Sequence, residues 1–255
     1  MKRLAIISLV VLLAGFSYYQ FKPQNSLVTV TQARATPVGA SEEMFMIALN
    51  LQNDGPAVAL TGVSSPSGAN VSLMNPNQTG QMVIPENATG ILAMDGAHIM
   101  LSVSAGDFEE GSFRSITLLF DDGTEHAVRV MRDNMGEGMG EMRHGLAHGV
   151  QVDPSPTLTL IPPKTVSAEG FDIAINVENF NLILVGDTAA HVANEGHGHI
   201  YLNGLKLGRL YEETFSIGAL ASGAYTLTVA LNTNDHRPYV FDNEAIAAHF
   251  EFNIP

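Results

Sequence analysis

The sequence predicts an all-β protein made of two β-sandwich domains. Short runs rich in Val, Ile, Leu, Thr and Phe recur from residue 27 to the end of the chain. Gly, Pro, Asn and Asp interrupt these runs about every eight to twelve residues, a spacing typical of sandwiches. The chain has 255 residues, of which 45% are hydrophobic, so each half is long enough to bury a core.

Residues 1–26 have the features of an export segment. Lys2 and Arg3 precede an apolar run over residues 4–16, which is short for a membrane span. No Ala-x-Ala cleavage site follows, so an uncleaved N-terminal membrane anchor stands beside a signal peptide as an alternative. Either way, we expect a periplasmic protein, soluble or anchored to the inner membrane.

The first domain is predicted over residues 27–132 and the second over residues 154–255. Strands are expected at 27–31, 44–51, 97–103, 115–120 and 126–131, then at 157–161, 170–180, 199–202, 214–217, 224–231 and 247–252. Tyr225 precedes an alternating strand and resembles the tyrosine corner of immunoglobulin-like sandwiches. The Gly-rich residues 133–153 between the domains predict a flexible linker.

Composition narrows the possible functions. Cysteine is absent, which excludes disulfides, zinc–thiolate sites and the thiolate of a blue-copper centre. Methionine (11 residues) and histidine (9 residues) remain as soft or borderline metal ligands. The net charge of −14 opposes nucleic-acid binding and favours cations.

Two side chains of the predicted strand 97–103 point away from the core. Ile99 and Leu101 alternate with His98 and Met100, so the histidine and the methionine share the opposite face. Upstream, Met74 and Met82 flank a turn-forming run. Thioether sulfur selects Cu(I), so these four residues form a candidate Cu(I) clamp, for which core packing is the alternative explanation.

Three segments of the first domain carry a family resemblance. Residues 32–37 (Gln-Ala-Arg-Ala-Thr-Pro), residues 60–66 (Leu-Thr-Gly-Val-Ser-Ser-Pro) and the His98-x-Met100 strand, followed by residues 117–120, resemble the PCuAC family of periplasmic copper chaperones. The resemblance covers roughly residues 27–132. It implies a cupredoxin-like Greek-key sandwich that binds Cu(I).

The same resemblance implies which residues bind copper. His98 and Met100 match the family's terminal His-x-Met pair, and Met82 matches its middle methionine. Met74 stands where the family usually has histidine, and the stretch between Met82 and His98 is shorter than usual. The resemblance also implies delivery of copper to a cytochrome oxidase subunit or another periplasmic copper protein.

The linker contains further soft ligands in a segment without a core to fill. We expect them to form a mobile copper-collecting strap, with a random low-complexity tether as the alternative. These residues are Met135, Met139, Met142, His144 and His148.

The second domain gathers histidines from three segments. His197 and His199 share the non-core face of one strand, while His191 and His236 lie in predicted loops at the same end of the sandwich. The pattern resembles domains of secreted bacterial copper-associated proteins. Three or four imidazoles suit Cu(II), Zn or Ni, with binding weakening as the pH falls near 6.5. Surface histidines without metal are the alternative.

The sequence therefore favours a non-catalytic copper chaperone or scavenger. Two other functions remain open: a copper-dependent redox enzyme at the histidine cluster, and a zinc-dependent structural or adhesive sandwich protein. An enzyme would need an open coordination position and substrate-guiding groups, which no sequence motif indicates.

Overall fold

The computed structural model describes residues 27–40, 42–76, 80–133, 149–186 and 189–255. These residues form strands and no helix, so the predicted all-β fold class is confirmed. The predicted export segment and residues 134–148 of the predicted linker lie outside the described residues. Within the described part of the chain, no helical segment has the length and hydrophobicity to span a bilayer. The strands are β1 Val28–Pro37, β2 Met44–Asn53, β3 Val58–Ser64, β4 Asn70–Met74, β5 Met82–Ile84, β6 Thr89–Leu92, β7 His98–Ser102, β8 Phe113–Phe120, β9 Glu125–Arg132, β10 Thr157–Ile161, β11 Phe171–Glu178, β12 Asn181–Leu182, β13 Glu195–Leu202, β14 Leu205–Leu210, β15 Thr214–Ile217, β16 Gly223–Thr233, β17 Val240–Phe241, β18 Glu244–Ala245 and β19 Ala247–Ile254.

The first lobe contains β1 to β9. Its strands pair in the order β6, β2, β1, β9, β8, β3, β5, and β7 pairs with both β2 and β4. Alternate residues of β2 build the core: Phe45, Ile47, Leu49 and Leu51 are all buried in it. The period of two sends the intervening side chains, among them Met44 and Met46, to the other face of the sheet.

The second lobe contains β10 to β19. The strands β19, β16, β13 and β14 pair in that order, and β10, β11 and β15 form a separate sheet. Ile173 and Ile175 of β11 pack with Leu227 and Val229 of β16 in one core. The hydroxyl of Tyr225 donates a hydrogen bond of 2.8 Å to the carbonyl of Ala221, the tie-back that a tyrosine corner makes.

The two lobes share a sheet and exchange core residues. Strand β14 of the second lobe pairs with β6 of the first, with Lys206 opposite Ile91. Leu205 is fully buried in the core of the first lobe. Conversely, Ala59 and Val83 of the first lobe are buried in the core of the second. The lobes are therefore packed together through apolar surface as well as backbone hydrogen bonds.

The β13–β14 hairpin makes this joint. Its turn residues Asn203 and Gly204 have φ values of 48° and 82°, both in the left-handed region that a type I′ turn requires. The side-chain amide of Asn203 donates to the carbonyl of Gln81 at 3.0 Å. The backbone N–H of Ala97 donates to the carbonyl of Gly204, also at 3.0 Å. Both bonds fix the hairpin against the first lobe.

The structure differs from the sequence expectations in two places. Met74 and Met82, expected to belong to one Cu(I) clamp, lie on strands with different partners: Met74 ends β4 opposite His98, whereas Met82 begins β5 opposite Leu60 of β3. The turn-forming run between them joins strands with different partners. Near the second lobe, Val150 and Val152 of the predicted linker pack against a small cluster around Tyr239, because both are apolar.

Candidate metal centres

Three histidines of the second lobe converge. His197, His199 and His236 each offer a ring nitrogen, and these nitrogens all lie within 4.8 Å of one another. The Nε2 atoms of His197 and His199 are 2.9 Å apart. His197 is 2% exposed and His199 is 1% exposed. The alternative explanation by surface histidines therefore does not hold for these two residues, because β13 lies between β14 and β16 and is buried along most of its length.

The glycines of the Gly-His-Gly-His run allow this burial. A Cβ at Gly196 would lie 1.9 Å from the carbonyl oxygen of Asn232 on β16. One at Gly198 would lie 3.1 Å from the Cβ of Leu210 on β14. Glycine therefore lets the neighbouring strands approach β13 closely while both imidazoles point to one face. The predicted strand began at residue 199, whereas β13 begins at Glu195 and includes both glycines.

His236 reaches the cluster from a constrained turn. Its φ of 67° lies in the left-handed region, which is uncommon for a residue with a side chain. The backbone N–H of His236 donates to the carbonyl of Thr233. The backbone N–H of Arg237 donates to the hydroxyl of the same threonine. The Arg237 guanidinium donates to both carboxylate oxygens of Asp235. This local network holds a strained residue in position, as is common at functional sites.

A carboxylate from the first lobe orients the cluster. Asp95 lies in the turn between β6 and β7, and its Oδ2 is 2.9 Å from Nδ1 of His199. If Nδ1 carries the proton and donates it to Asp95, the lone pair of Nε2 faces the other two histidines. Carboxylates orient metal-binding histidines in this way. The tautomer here is assigned from that hydrogen bond.

Burial favours the neutral form of His197 and His199. Burial, reinforced by the positive fields of His199 and His236, lowers the pKa of His197 to about 3. Burial also lowers the pKa of His199 to about 4, although the hydrogen bond to Asp95 opposes this shift. Burial disfavours the Asp95 carboxylate, yet His199 and Lys206 together hold its pKa well below the usual range. Neutral imidazole is the form that binds metal.

Lys206 is a buried, positively charged neighbour of the histidine cluster. Its ammonium lies 2.7 Å from Oδ2 of Asp95 and 3.3 Å from Nε2 of His199. Burial lowers the pKa of Lys206, while Asp95 counteracts that effect. The hydroxyl of Tyr201 donates to the same carboxylate at 3.0 Å. Asp95 thus binds three groups of the second lobe at once.

His191 does not join the three-histidine group. Its ring lies 6.0 Å from the ring of Tyr239, and its Nδ1 is buried without a hydrogen-bond partner among the described residues. The structure therefore brings together three of the four histidines that the sequence analysis grouped in this domain.

The candidate Cu(I) residues of the first lobe lie mainly on one sheet face. Met74 is directly opposite His98 in the β4–β7 pairing, and Met100 lies two residues further along β7. Ile99 and Leu101 are buried on the other face, in agreement with the alternation expected from sequence. The Nδ1 atom of His98 is 2.9 Å from the carbonyl of Gly96, so the Nε2 atom is directed away from that bond.

Met82 has a different environment from the other three residues. It is half-buried and packs against the first core, in register with Leu60. Its role as a Cu(I) ligand stays a prediction. The linker residues Met135, Met139, Met142, His144 and His148 lie outside the described residues.

Sequence reasoning missed Asp95, Lys206 and Met46. Asp95 stands in a Met-Asp-Gly segment, which indicates only a turn. Its contact with His199 depends on how the lobes dock. Met46 lies opposite Met100 across β2 and β7, a pairing that strand alternation alone does not give. The sequence did show that Met46 alternates with the apolar residues Phe45 and Ile47, which places it on the non-core face of β2.

Comparisons with known proteins give one family match with defined residues and several structural matches of differing coverage. Residues 28–132 match the family described as "Putative lipoprotein LpqE-like". Among solved structures, "Copper-bound PCuAC domain from PmoF2" aligns with 15% identity and a TM-score of 0.37, covering 44% of this chain and 100% of that one. "Apo PCuAC domain from PmoF1" aligns with 18% identity, the same TM-score and the same coverages. The Pseudomonas aeruginosa CupB2 chaperone covers 89% of this chain and 100% of its own, with 9% identity and a TM-score of 0.27. No curated protein sequence matches the chain.

Proposed function

We propose that this protein is an exported copper-binding protein that carries copper as cargo and has no catalytic activity. The convergence of three imidazoles, of which His197 and His199 are buried with lowered pKa values and His199 is oriented by Asp95, is the observation that carries the proposal. Borderline imidazole ligands suit Cu(II). The LpqE-like match over residues 28–132 supports export, although the chain contains no cysteine that could bear a lipid.

The first lobe is proposed to bind Cu(I). His98, Met100 and Met74 lie on one face of β7 and β4, and Met82 completes the set that the PCuAC resemblance implies. One imidazole with two or three thioethers is a soft ligand set that prefers Cu(I) to Cu(II) or Zn. The proposed recipient is a cytochrome oxidase subunit or another periplasmic copper protein, again as the resemblance implies.

Metal loading of the whole chain tests this function. We expect the intact protein to bind Cu(I) with sulfur ligands detectable by X-ray absorption, and Cu(II) with nitrogen ligands only. Replacing Met82 and Met100 together by alanine should weaken Cu(I) binding and leave Cu(II) binding unchanged. An absorption spectrum of the Cu(I) form without sulfur ligands would contradict the first-lobe assignment.

A zinc-dependent structural role is the second candidate. The observation in its favour is the contact of Asp95, in the first lobe, with His199 and Lys206 in the second. A metal held by the histidines would reinforce this joint between the lobes. A rise in melting temperature with stoichiometric Zn and none with Cu(II) would favour this role over copper transport.

A further inference from the structure

The outer face of β2, β7 and β4 carries more methionines than the four-residue clamp includes. On β2, Phe45 and Ile47 pack in the first core, so Met44 and Met46 point to the opposite side of the sheet. The same alternation places Met100 of β7 and Met74 of β4 on that side.

The strand register brings these side chains next to one another. Met46 is directly opposite Met100, and Met44 is opposite Ser102. On the other edge of β7, Ser72 is opposite Met100 and Met74 is opposite His98. Directly opposite residues have Cβ atoms about 4.5–5.5 Å apart, and an unbranched methionine side chain easily spans that distance. Met100 is thus flanked by His98 along its own strand and by Met46 across it.

Core packing does not explain this face. Met44 is 44% exposed and Met74 is 41% exposed, so neither fills a cavity. Met46 is only 7% exposed, but it is on the side of β2 turned away from the core. Exposed strand positions usually carry β-branched or polar residues, so the flexible thioethers of Met44 and Met74 need another explanation.

We propose that Met44 and Met46 form a second thioether position for a soft monovalent ion, Cu(I) or its analogue Ag(I), adjacent to the His98 position and sharing Met100 with it. The proposal extends the first-lobe part of the proposed function and rests on it. The exposed Met44 would be the outermost ligand, while the buried Met46 connects it to Met100. Cargo would then enter or leave along a row of sulfur atoms.

Ag(I) titration of the full chain tests the proposal, because Ag(I) does not change oxidation state under these conditions. Methionines labelled with ¹³C at the terminal methyl group give one NMR signal each, assigned by single Met-to-Leu variants. We expect the Met44 and Met46 signals to shift together with that of Met100. The Met44→Leu, Met46→Leu variant should bind one Ag(I) fewer by native mass spectrometry.

The matched control is Met131→Leu. Met131 is a half-buried strand methionine aligned with Arg34 of β1, so a whole strand separates it from β2. Methionine and leucine have similar volumes, so all variants should fold, and the methyl spectrum itself verifies this. If Ag(I) shifts the signals of Met74 and Met100 but not those of Met44 and Met46, the second thioether position is overturned while the first-lobe Cu(I) site stands. If none of these four signals shifts, the first-lobe Cu(I) site fails as well.

Discussion

The two candidate metal centres differ in the exposure and the orientation of their ligands. In the first lobe, thioethers lie on an outer sheet face where Met44 and Met74 are more than 40% exposed. In the second lobe, His197 and His199 are almost fully buried, and a hydrogen bond from His199 to Asp95 fixes one ring. One centre is accessible and adaptable, whereas the other is enclosed and oriented.

This contrast indicates a division of labour. Preorganised ligands lose little conformational entropy on binding, so the histidine centre is suited to retention. Exposed, unbranched methionines have no fixed geometry and no proton to release, so the thioether face is suited to exchange with a partner. The two centres also differ in their response to protons, since all but one of the first-lobe ligands are thioethers, which do not titrate, whereas the second-lobe ligands are all imidazoles, which do.

Removing two histidines is expected to have the largest effect. The His197→Ala, His236→Ala variant should lose about 100-fold or more in Cu(II) affinity, because two of three clustered ligands disappear. Competition titration with a chelator measures the change. Ag(I) affinity should stay constant. The control is His249→Ala, a strand histidine outside the cluster that bonds Thr228, and an equal loss in that variant would remove the distinction between the centres.

Neutralising Asp95 should have the next largest effect. Asp95→Asn removes the carboxylate that orients His199, and loss of such a partner typically costs about 10–100-fold in metal affinity. Cu(II) binding should fall by this factor in the full chain, while Ag(I) binding is retained as a sign of correct folding. Asp54→Asn, which alters an exposed carboxylate near Gln52, serves as control. Unchanged Cu(II) affinity would show that Asp95 only joins the lobes.

Acidification should have a smaller effect on the histidine centre than ordinary imidazoles would show. Three imidazoles with a pKa near 6.5 would cost about tenfold each in affinity by pH 5.5. The lowered pKa values of about 3 for His197 and about 4 for His199 remove that competition for two of them. We therefore expect a loss of about tenfold or less between pH 7.5 and 5.5. The sequence alone predicts that binding weakens as the pH falls through the range near 6.5, as for ordinary imidazoles, and a loss of about a thousandfold would support that larger pH dependence.

The same shifts predict how acid affects the metal-free protein. The unfolded chain takes up protons on these histidines near pH 6.5, whereas the folded chain does so only near pH 4 and 3. Between those values the unfolded state binds more protons, so the free energy of unfolding falls as the pH falls. Urea unfolding at pH 7.5 and 5.0 measures this decrease. The His197→Ala, His199→Ala variant should show a smaller pH dependence.

Deleting residues 134–148 should have the smallest effect on the tightest sites. The deletion removes three methionines and two histidines, so the total copper bound should decrease. The highest affinities for Cu(I) and Cu(II) should persist, because those ligands lie in the two lobes. Equilibrium dialysis gives both quantities. Loss of either tightest site would assign a primary ligand to the linker.

The sequence predicted the local parts of both centres but not the contacts between lobes. Alternation within one strand placed His98 and Met100 on the face opposite Ile99 and Leu101, because side-chain direction in a strand depends only on parity. The grouping of His197, His199 and His236 also followed from strand order at one end of a sandwich. Asp95 was not predictable, since its distance from His199 depends on how two separately predicted domains pack.

Strand pairing explains the remaining differences between the sequence prediction and the structure. The short strands β4, β5 and β6 have few residues each, so their hydrophobic pattern is weak. Their partners are set by the sheet around them. Met46 was overlooked for the same reason: its importance comes from its position opposite Met100, which only the register between β2 and β7 reveals.

The insertion of the β13–β14 hairpin into the first lobe has a consequence for the order of folding. Leu205 completes a core whose other buried members all precede residue 131, and Asn203 bonds to Gln81 across 122 positions of sequence. Such distant contacts raise the contact order, and loop closure must precede the stabilisation that they provide. The N-terminal lobe therefore reaches its final packing only after most of the second half of the chain has been synthesised, and its maturation is slower than the length of that lobe alone would indicate.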